Sequence, residues 1–440
     1  MEFDRRTYVK KLLDRRDNGL VKVITGCRRA GKSYLMNTLF KNALLAEGVD
    51  KSKIISFAFD TDEDIDLLDS FLPEEPSKIK VGKNKYVVNS RKFRQYIASL
   101  TNENDRFFLL LDEVQLLEGF VSTLNGFLRH SNFDVYVTGS NSRFLSKDIE
   151  TEFKGRGSVV HVMPLTFAEY HNAVGTSVSE SWRHYVETGG LPVVAKMTDR
   201  DEQVEYLKNL CAEVYLKDMV ERYDIRKDSD LSDLFDVVAS SMGSGVNPTR
   251  LVNTFKSVCK KDVTDDTLKK YVEYMEDAFL VSKARQYDIS GRKYINSPFK
   301  LYFEDVGVRN ARINFKRIEE GHLLENIVYN ELRFRGFQVD VGQIDVNEIT
   351  DRFDVNNKRI YKKTELEVDF VASKGNERFY VQVCLNMADD DIVTREKKPL
   401  YRIRDSFKKV IITKDGLGLR RDEEGIVTVD IFDFLLNDVI

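Results

Sequence analysis

The chain has 440 residues, 68 basic against 72 acidic side chains, a formal net charge of −4, and 42% hydrophobic against 32% charged residues. That length predicts roughly three domains with a core that needs no staples, and the balance excludes a disordered chain and a uniformly basic nucleic-acid coat while allowing local basic footprints. Four scattered cysteines (Cys27, Cys211, Cys259, Cys384) make no CxxC pair, the start MEFDRRTYVKKLLDRRD has no apolar leader, and no run nears a membrane span, so a reducing, cytoplasmic setting with no membrane contact is expected.

Val21 to Ile24 is a short β-rich run. It leads into Gly26-Cys27-Arg28-Arg29-Ala30-Gly31-Lys32-Ser33, which fits G-x-x-x-x-G-K-[ST], and Tyr34 to Ala46 follows at helical spacing. Gly26 and Gly31 let the backbone curl so that its N–H groups face phosphates, and the helix N-terminus adds positive partial charge. The segment Gly26 to Tyr34 is therefore the expected phosphate cradle. Lys32 reaches the β/γ-phosphates and Ser33 gives a hydroxyl to Mg²⁺. Arg28 and Arg29 either clamp phosphates or face a partner.

Asp60 to Glu75 carries eight acids and no base, and Lys78 to Arg94 carries seven bases and no acid. The second stretch includes a hairpin around Val81-Gly82-Lys83-Asn84-Lys85. Either the two halves neutralise one another or the hairpin touches nucleic-acid phosphates. Phe107 to Leu111 is a continuous apolar run, as for a strand buried on both faces, and it ends in Asp112-Glu113. Asp112 is placed to hold Mg²⁺ and Glu113 to orient or deprotonate the attacking water. A third strand, Asp134 to Thr138, opens into Gly139-Ser140-Asn141-Ser142. Asn141 would stand beside the γ-phosphate if this strand lies between the other two. Arg156, in Phe153-Lys154-Gly155-Arg156-Gly157, either stabilises transferred phosphate charge or pairs with a carboxylate.

Helical spacing covers Thr166 to Val174, Ser181 to Thr188 and Glu202 to Val220, interrupted by Gly189-Gly190-Leu191-Pro192. Three further helices are expected at Leu231 to Met242, Asn247 to Val258 and Thr264 to Glu276, followed by a hairpin turning at Ser290-Gly291. Three helices and a hairpin suggest a winged helix. Its third helix is net −2, which suits protein packing, and its hairpin (283–300) is net +4, which suits phosphate contact.

His322 to Leu332 reads as an amphipathic helix carrying Glu325. Strands follow at Phe337 to Val341, Glu367 to Ala372 with Asp369, and Phe379 to Cys384 with Gln382. The order of a helical glutamate, a strand aspartate and a polar pair on the next strand is the PD-(D/E)xK nuclease pattern. Gln382 and Cys384 stand where the acid and the lysine belong. Glutamine is a poor Mg²⁺ ligand beside carboxylate and cysteine cannot replace an ammonium, so cleavage is not expected. Residues 395–409 are net +5 and form another basic region.

Taken together, GCRRAGKS, LLLDE, TGSNS, FKGRG, MPLTFAEY and GGLP resemble the AAA+-like P-loop ATPases of archaea and bacteria that carry a C-terminal restriction-endonuclease-like domain. The resemblance spans nearly the whole chain. It implies an α/β fold: a P-loop ATPase parallel sheet (1–165) with a helical lid (166–228), a winged-helix domain (229–305) and an α/β nuclease-like domain, inactive, at 306–440. By this resemblance Asn141 is similar to the sensor-1 residue, Arg156 to the arginine-finger or sensor position, and Pro192 to the proline that packs on adenine. The cofactors implied are ATP or ADP and Mg²⁺, with Lys32, Glu113, Asn141 and Arg156 in catalysis and Ser33 and Asp112 on the metal. The partners implied are DNA at 78–94, 283–300 and 395–409, a protein, or further copies of the chain. The expected function is an ATP-hydrolysing switch. An ADP-holding binding module and a metal-dependent nuclease are the competing readings.

Overall fold

The computed structural model describes residues 2–82, 85–139, 155–244, 248–260, 263–316, 319–353, 359–387, 389–416 and 418–437. Two compact units divide it: residues 2–164 with 277–279, and residues 165–276 with 280–440.

The first unit is built on strands β1 (Val21–Thr25), β2 (Ile54–Ala58), β5 (Phe107–Asp112), β6 (Phe133–Thr138) and β7 (Gly157–His161), all parallel, in the order β2-β5-β6-β1-β7. Every residue of β1 and β5 is buried, as the unbroken apolar run at 107–111 foretells. The strand carrying Asp112 is thus separated from the strand feeding the glycine loop by β6, the position proposed for the third strand from sequence. Val23, Leu109, Leu111 and Val137 join Phe57, Phe59 and Phe93 in one core, with the Phe57 and Phe93 rings 5.0 Å apart. The expected hairpin is present as β3 (Lys78–Gly82) and β4 (Lys85–Val88), a separate two-stranded ribbon. One polar pair breaks the apolar rule: Lys22 in β1, fully buried, is paired with Asp134 in β6.

The second unit begins with helices Phe167–Val174, Val178–Thr188 and Pro192–Lys196 and a long helical stretch at 200–223. Thr166 and Glu169 close the first of these with a reciprocal capping box. Helices Asp228–Ser240, Pro248–Cys259 and Asp265–Asp277 follow, close to the sequence expectation. The hairpin after them, β8 (Val281–Asp288) and β9 (Lys293–Phe303), does not stand alone. It forms one edge of an eight-stranded sheet with β10 (Gln338–Phe353), β11 (Arg359–Lys374), β12 (Glu377–Cys384), β13 (Lys408–Thr413), β14 (Arg420–Arg421) and β15 (Val427–Asp430), in the order β14-β15-β13-β12-β11-β10-β8-β9. The link is a parallel pairing of β8 with β10, between segments more than 50 residues apart. No local period carries such a pairing, which is why the hairpin read as a free-standing wing. Helices Glu320–Phe334 and Asp390–Arg402 flank this sheet. Among the described residues no helix is long and apolar enough to cross a membrane.

Candidate functional site

In a parallel sheet all carboxyl ends lie at one edge, and ligands bind there. Here Thr25, Ala58, Asp112 and Thr138 end four of the strands at that edge. The chain leaves β1 through loop 26–31 and enters helix 32–46. Gly26 (φ +143°), Arg29 (φ +67°) and Gly31 (φ +91°) all take left-handed backbone. A Cβ on Gly26 would stand 2.1 Å from the Val162 carbonyl oxygen, so only glycine fits. Arg29 holds this conformation with a full side chain, and such strain clusters at functional loops.

The Lys32 side chain is buried and its ammonium donates to the carbonyls of Gly26 (3.0 Å) and Cys27 (2.9 Å). Burial pulls its pKa below the ordinary lysine range. An ammonium coiled back onto its own loop is ready to exchange those carbonyls for phosphate oxygens. Ser33 Oγ donates to Asp112 Oδ1 at 3.1 Å, which brings together the two residues expected on the metal. Asn37 Nδ2 donates to Asp112 Oδ2 at 3.1 Å, and the Thr138 hydroxyl donates to Oδ1. Glu113 sits at φ +51°, its N–H donates to Thr138 Oγ1 at 3.2 Å, and its carboxylate accepts from Gln115 Nε2. Asp60, just past β2, is raised by burial and by the charges of Glu113 and Asp112.

These residues fit a nucleotide with Mg²⁺. The loop presents left-handed backbone and an ammonium, and a hydroxyl and a carboxylate meet at its end. Asn37 Oδ1 and Gln115 Oε1 are buried beside that carboxylate and Glu113 with no hydrogen-bond partner among the described residues, as expected where water or ligand belongs.

Other expected site residues are placed differently. Cys27 and Ala30 are buried, Arg28 is half-buried, and Tyr34 is 39% exposed on the first turn of the helix. Asn141 lies outside the described residues, although β6, which leads to it, is in the required place. Arg156 does not join the site within its own chain. Its carbonyl accepts from Val21 N at 2.9 Å, which fixes it at the amino edge of the sheet, and its guanidinium reaches Asn125 Oδ1 at 3.4 Å. The length of β1, roughly 16 Å at 3.3 Å per residue, separates it from the glycine loop. Its short sequence distance from TGSNS gave no sign of this, because β7 is parallel to β1 and β6 and so begins at the opposite edge. Pro192 belongs to the second unit, where it opens helix Pro192–Lys196. There Gly189 ends the preceding helix at φ +77°, and Gly190 N donates to buried Asp305 at 2.8 Å. Sequence reasoning missed Asn37, Thr138 and Gln115. The two polar residues on the helix and the strand end carry no motif, and only the sheet order brings them to Asp112.

The basic regions also resolve. In the first unit Lys78 pairs with Asp62 (3.1 Å), and buried Lys92 pairs with Asp69 (3.1 Å), so the acidic stretch takes up part of 78–94. In the second unit, Arg378 on β12 lies between a ring of 283–300 and a ring of 395–409. Arg378 lies 5.3 Å from the Phe407 ring centre and 5.2 Å from that of Tyr287. The Tyr287 and Tyr294 rings are 5.4 Å apart, and Arg285 lies 4.5 Å over Tyr294. Phe407, Tyr294 and Arg285 are exposed.

Glu325 and Asp369 also come together. Asp369 is buried, Val383 N donates to its Oδ2 at 2.8 Å, and burial followed by the charge of Glu325 holds its carboxyl well above the usual range. Gln382 accepts from Asp369 N (3.4 Å) and donates to Glu396 (2.9 Å). Burial pushes the Cys384 thiol up to about 12.

Residues 18–171 match the family model of an AAA domain, and residues 179–319 match that of a domain of unknown function, DUF8612. An uncharacterized protein of Haemophilus influenzae is 29% identical over 98% of both chains, and one of Methanocaldococcus jannaschii is 25% identical over 93% of this chain and 84% of its own. The chain is similar in structure to the Aeropyrum pernix ORC2 protein (12% identity, 73% of this chain and 93% of that one, TM-score 0.36) and to the A. pernix ORC1 protein in complex with DNA (13%, 71% and 93%, TM-score 0.30). The stretch that matches the AAA domain model, residues 18–171, holds the glycine loop and the parallel sheet.

Proposed function

We propose that the protein is an ATP-binding and ATP-hydrolysing switch. The observation that carries this reading is the meeting of Lys32, Ser33 and Asp112 at the carboxyl edge of one parallel sheet. Loop 26–31 and Lys32 bind the phosphates, Ser33 and Asp112 hold Mg²⁺, and Glu113 orients the attacking water. Mg²⁺ supplies charge neutralisation on the phosphate oxygens when bound. Asn141 reads the γ-phosphate from the end of β6, and Pro192 is assigned to adenine. Arg156, at the far edge of the sheet, serves the phosphates of a neighbouring copy. Residues 1–165 act as the ATPase core and 166–228 as its lid. The lid relays nucleotide state to a winged-helix segment (229–305) and a non-cleaving nuclease-like segment (306–440).

The test is a pair of variants followed by nucleotide titration and phosphate release. Lys32→Ala is expected to lose ATP binding. Glu113→Gln is expected to keep binding and lose about 10²- to 10⁴-fold in turnover. Normal hydrolysis by Lys32→Ala sinks the assignment, and a wild type that retains ADP and scarcely turns over favours the ADP-holding module instead.

A nucleic-acid partner is supported by the run Phe407, Arg378, Tyr287, Tyr294, Arg285. Guanidinium groups draw phosphates and exposed rings stack on bases. Charge reversal at Arg285 and Arg378 is expected to abolish the anisotropy change of a labelled oligonucleotide. Unchanged binding returns this face to a protein partner.

A further inference from the structure

We propose that Lys300 is a built-in cation occupying a divalent-metal position formed by Glu325, Glu367 and Asp369, so that this part of the chain works without metal. Lys300 lies on β9 and is 4% exposed. Its ammonium stands 2.9 Å from Glu325 Oε1 and 2.7 Å from Glu367 Oε1. The Tyr302 hydroxyl, two positions along the same strand, donates to the same Glu325 oxygen. Glu367 and Asp369 are two positions apart on β11, and Glu325 comes from helix Glu320–Phe334. The carboxylates therefore come from a helix and an internal strand, and the cation comes from the hairpin at the sheet edge.

Asp369 is buried and Glu325 is 12% exposed, while Glu367 reaches in from the solvent side at 48%, and carboxylates drawn out of water require a positive charge among them. A metal ion would supply it through oxygen contacts of about 2.0–2.6 Å. Lys300 supplies it through contacts of 2.7 and 2.9 Å, which hold the oxygens further apart. Accordingly, among the described residues no three acidic, histidine or cysteine side chains converge closely enough to hold a metal. Gln382, which occupies the next ligand position on β12, is already spent on Asp369 N and Glu396. Burial alone would lower the Lys300 ammonium, but Glu325, Asp369 and Glu367 outweigh it and hold the charge on at any ordinary pH. The hairpin β8–β9 is thereby tied to the helix and to β11 through a charge that cannot be chelated away. The inference is independent of nucleotide hydrolysis in the other unit.

The test uses the full chain without nucleotide and Mn²⁺ as the probe, read by electron paramagnetic resonance. Mn²⁺ binding is scored at this place only when Asp369→Asn removes it. The wild type is expected to show none. Lys300→Met keeps the apolar stem, and it is expected to gain a single Mn²⁺ that disappears in Lys300→Met/Asp369→Asn. Its melting temperature is expected to rise with Mn²⁺ while that of the wild type does not. Should Lys300→Met not fold, Lys300→Gln keeps a polar head between the carboxylates and makes the same comparison. A wild type that binds Mn²⁺ through Asp369 overturns the proposal, as does a folded Lys300 variant that binds none. Metal-dependent DNA cleavage by the wild type that is lost with Lys300 overturns it as well, because the lysine would then be catalytic.

Discussion

Lys22→Met probes the ion pair inside the five-stranded parallel sheet. Lys22 has no exposed surface and Asp134 is 2% exposed, so neither charge is shared with water. The ammonium also donates to the Leu20 carbonyl at 3.0 Å and to Asn18 Oδ1 at 3.4 Å. Methionine fills most of the same volume but leaves Asp134 charged and buried. Removing one partner of a buried pair costs about 3–5 kcal/mol. Asp134 retains the Tyr136 hydroxyl (3.0 Å) and Asp17 N (3.2 Å), which places the expected loss near the lower bound, about 3 kcal/mol. That is about 10²-fold in the folding equilibrium. Lys22→Met/Asp134→Asn removes the stranded charge and keeps an acceptor, so it is expected to recover more than half of the loss. Native-state hydrogen exchange at the β1 and β6 amides reads this unit alone. A loss under about 1 kcal/mol, or a double variant no better than the single one, refutes the reasoning.

Gly26→Ala places a Cβ 2.1 Å from the Val162 carbonyl oxygen at a left-handed φ, and is expected to lower stability by at least about 2 kcal/mol and to weaken ATP binding; an unchanged melting temperature and titration would contradict this. Thr138→Val keeps the shape but removes the hydroxyl between Asp112 and Glu113, and is expected to lower turnover about 10- to 100-fold with little change in ATP affinity, checked by separate binding and steady-state measurements. Burial raises the Asp305 carboxyl to about 6, against about 3.9 in the unfolded chain. The folded state thus holds the proton longer, so this carboxyl opposes folding only once ionised. The penalty is absent below about pH 4 and grows to about 3 kcal/mol as pH passes 6. Calorimetry of wild type against Asp305→Asn from pH 4 to 7.5 is expected to show the difference shrinking toward low pH, and a pH-independent difference would argue against it.

The phosphate loop, the buried strand ending at Asp112 and the hairpin at 78–88 were legible because each is written in consecutive residues. Glycine spacing, an unbroken apolar run and a turn between alternating residues are local signals. Thr138 and Asn37 were not legible, because their role is to touch Asp112 from other elements. Lys300 was hidden for the same reason: it read as one of several basic hairpin residues, and only the eight-stranded sheet brings it to Glu325 and Glu367. The motif keeps its ammonium two residues beyond Gln382, where this chain has Cys384. Arg156 shows the converse. Its motif left open whether it reaches the phosphates or pairs with a carboxylate, and the parallel pairing of β7 with β1 sets it at the amino edge.

That separation gives the first unit a polarity. One edge of its sheet holds the glycine loop and the other holds an exposed arginine, so the two features cannot face each other within a chain or across a twofold axis that pairs like edges. A copy that lends Arg156 brings its amino edge to the carboxyl edge of the copy that receives it. Either a twofold axis sets the two sheets antiparallel, so that both copies give and take at once, or the contact is heterologous and repetition closes it into a ring or extends it as a helix. Mixing Lys32→Ala chains, which keep the arginine, with Arg156→Ala chains, which keep the loop, would then restore turnover that neither has alone.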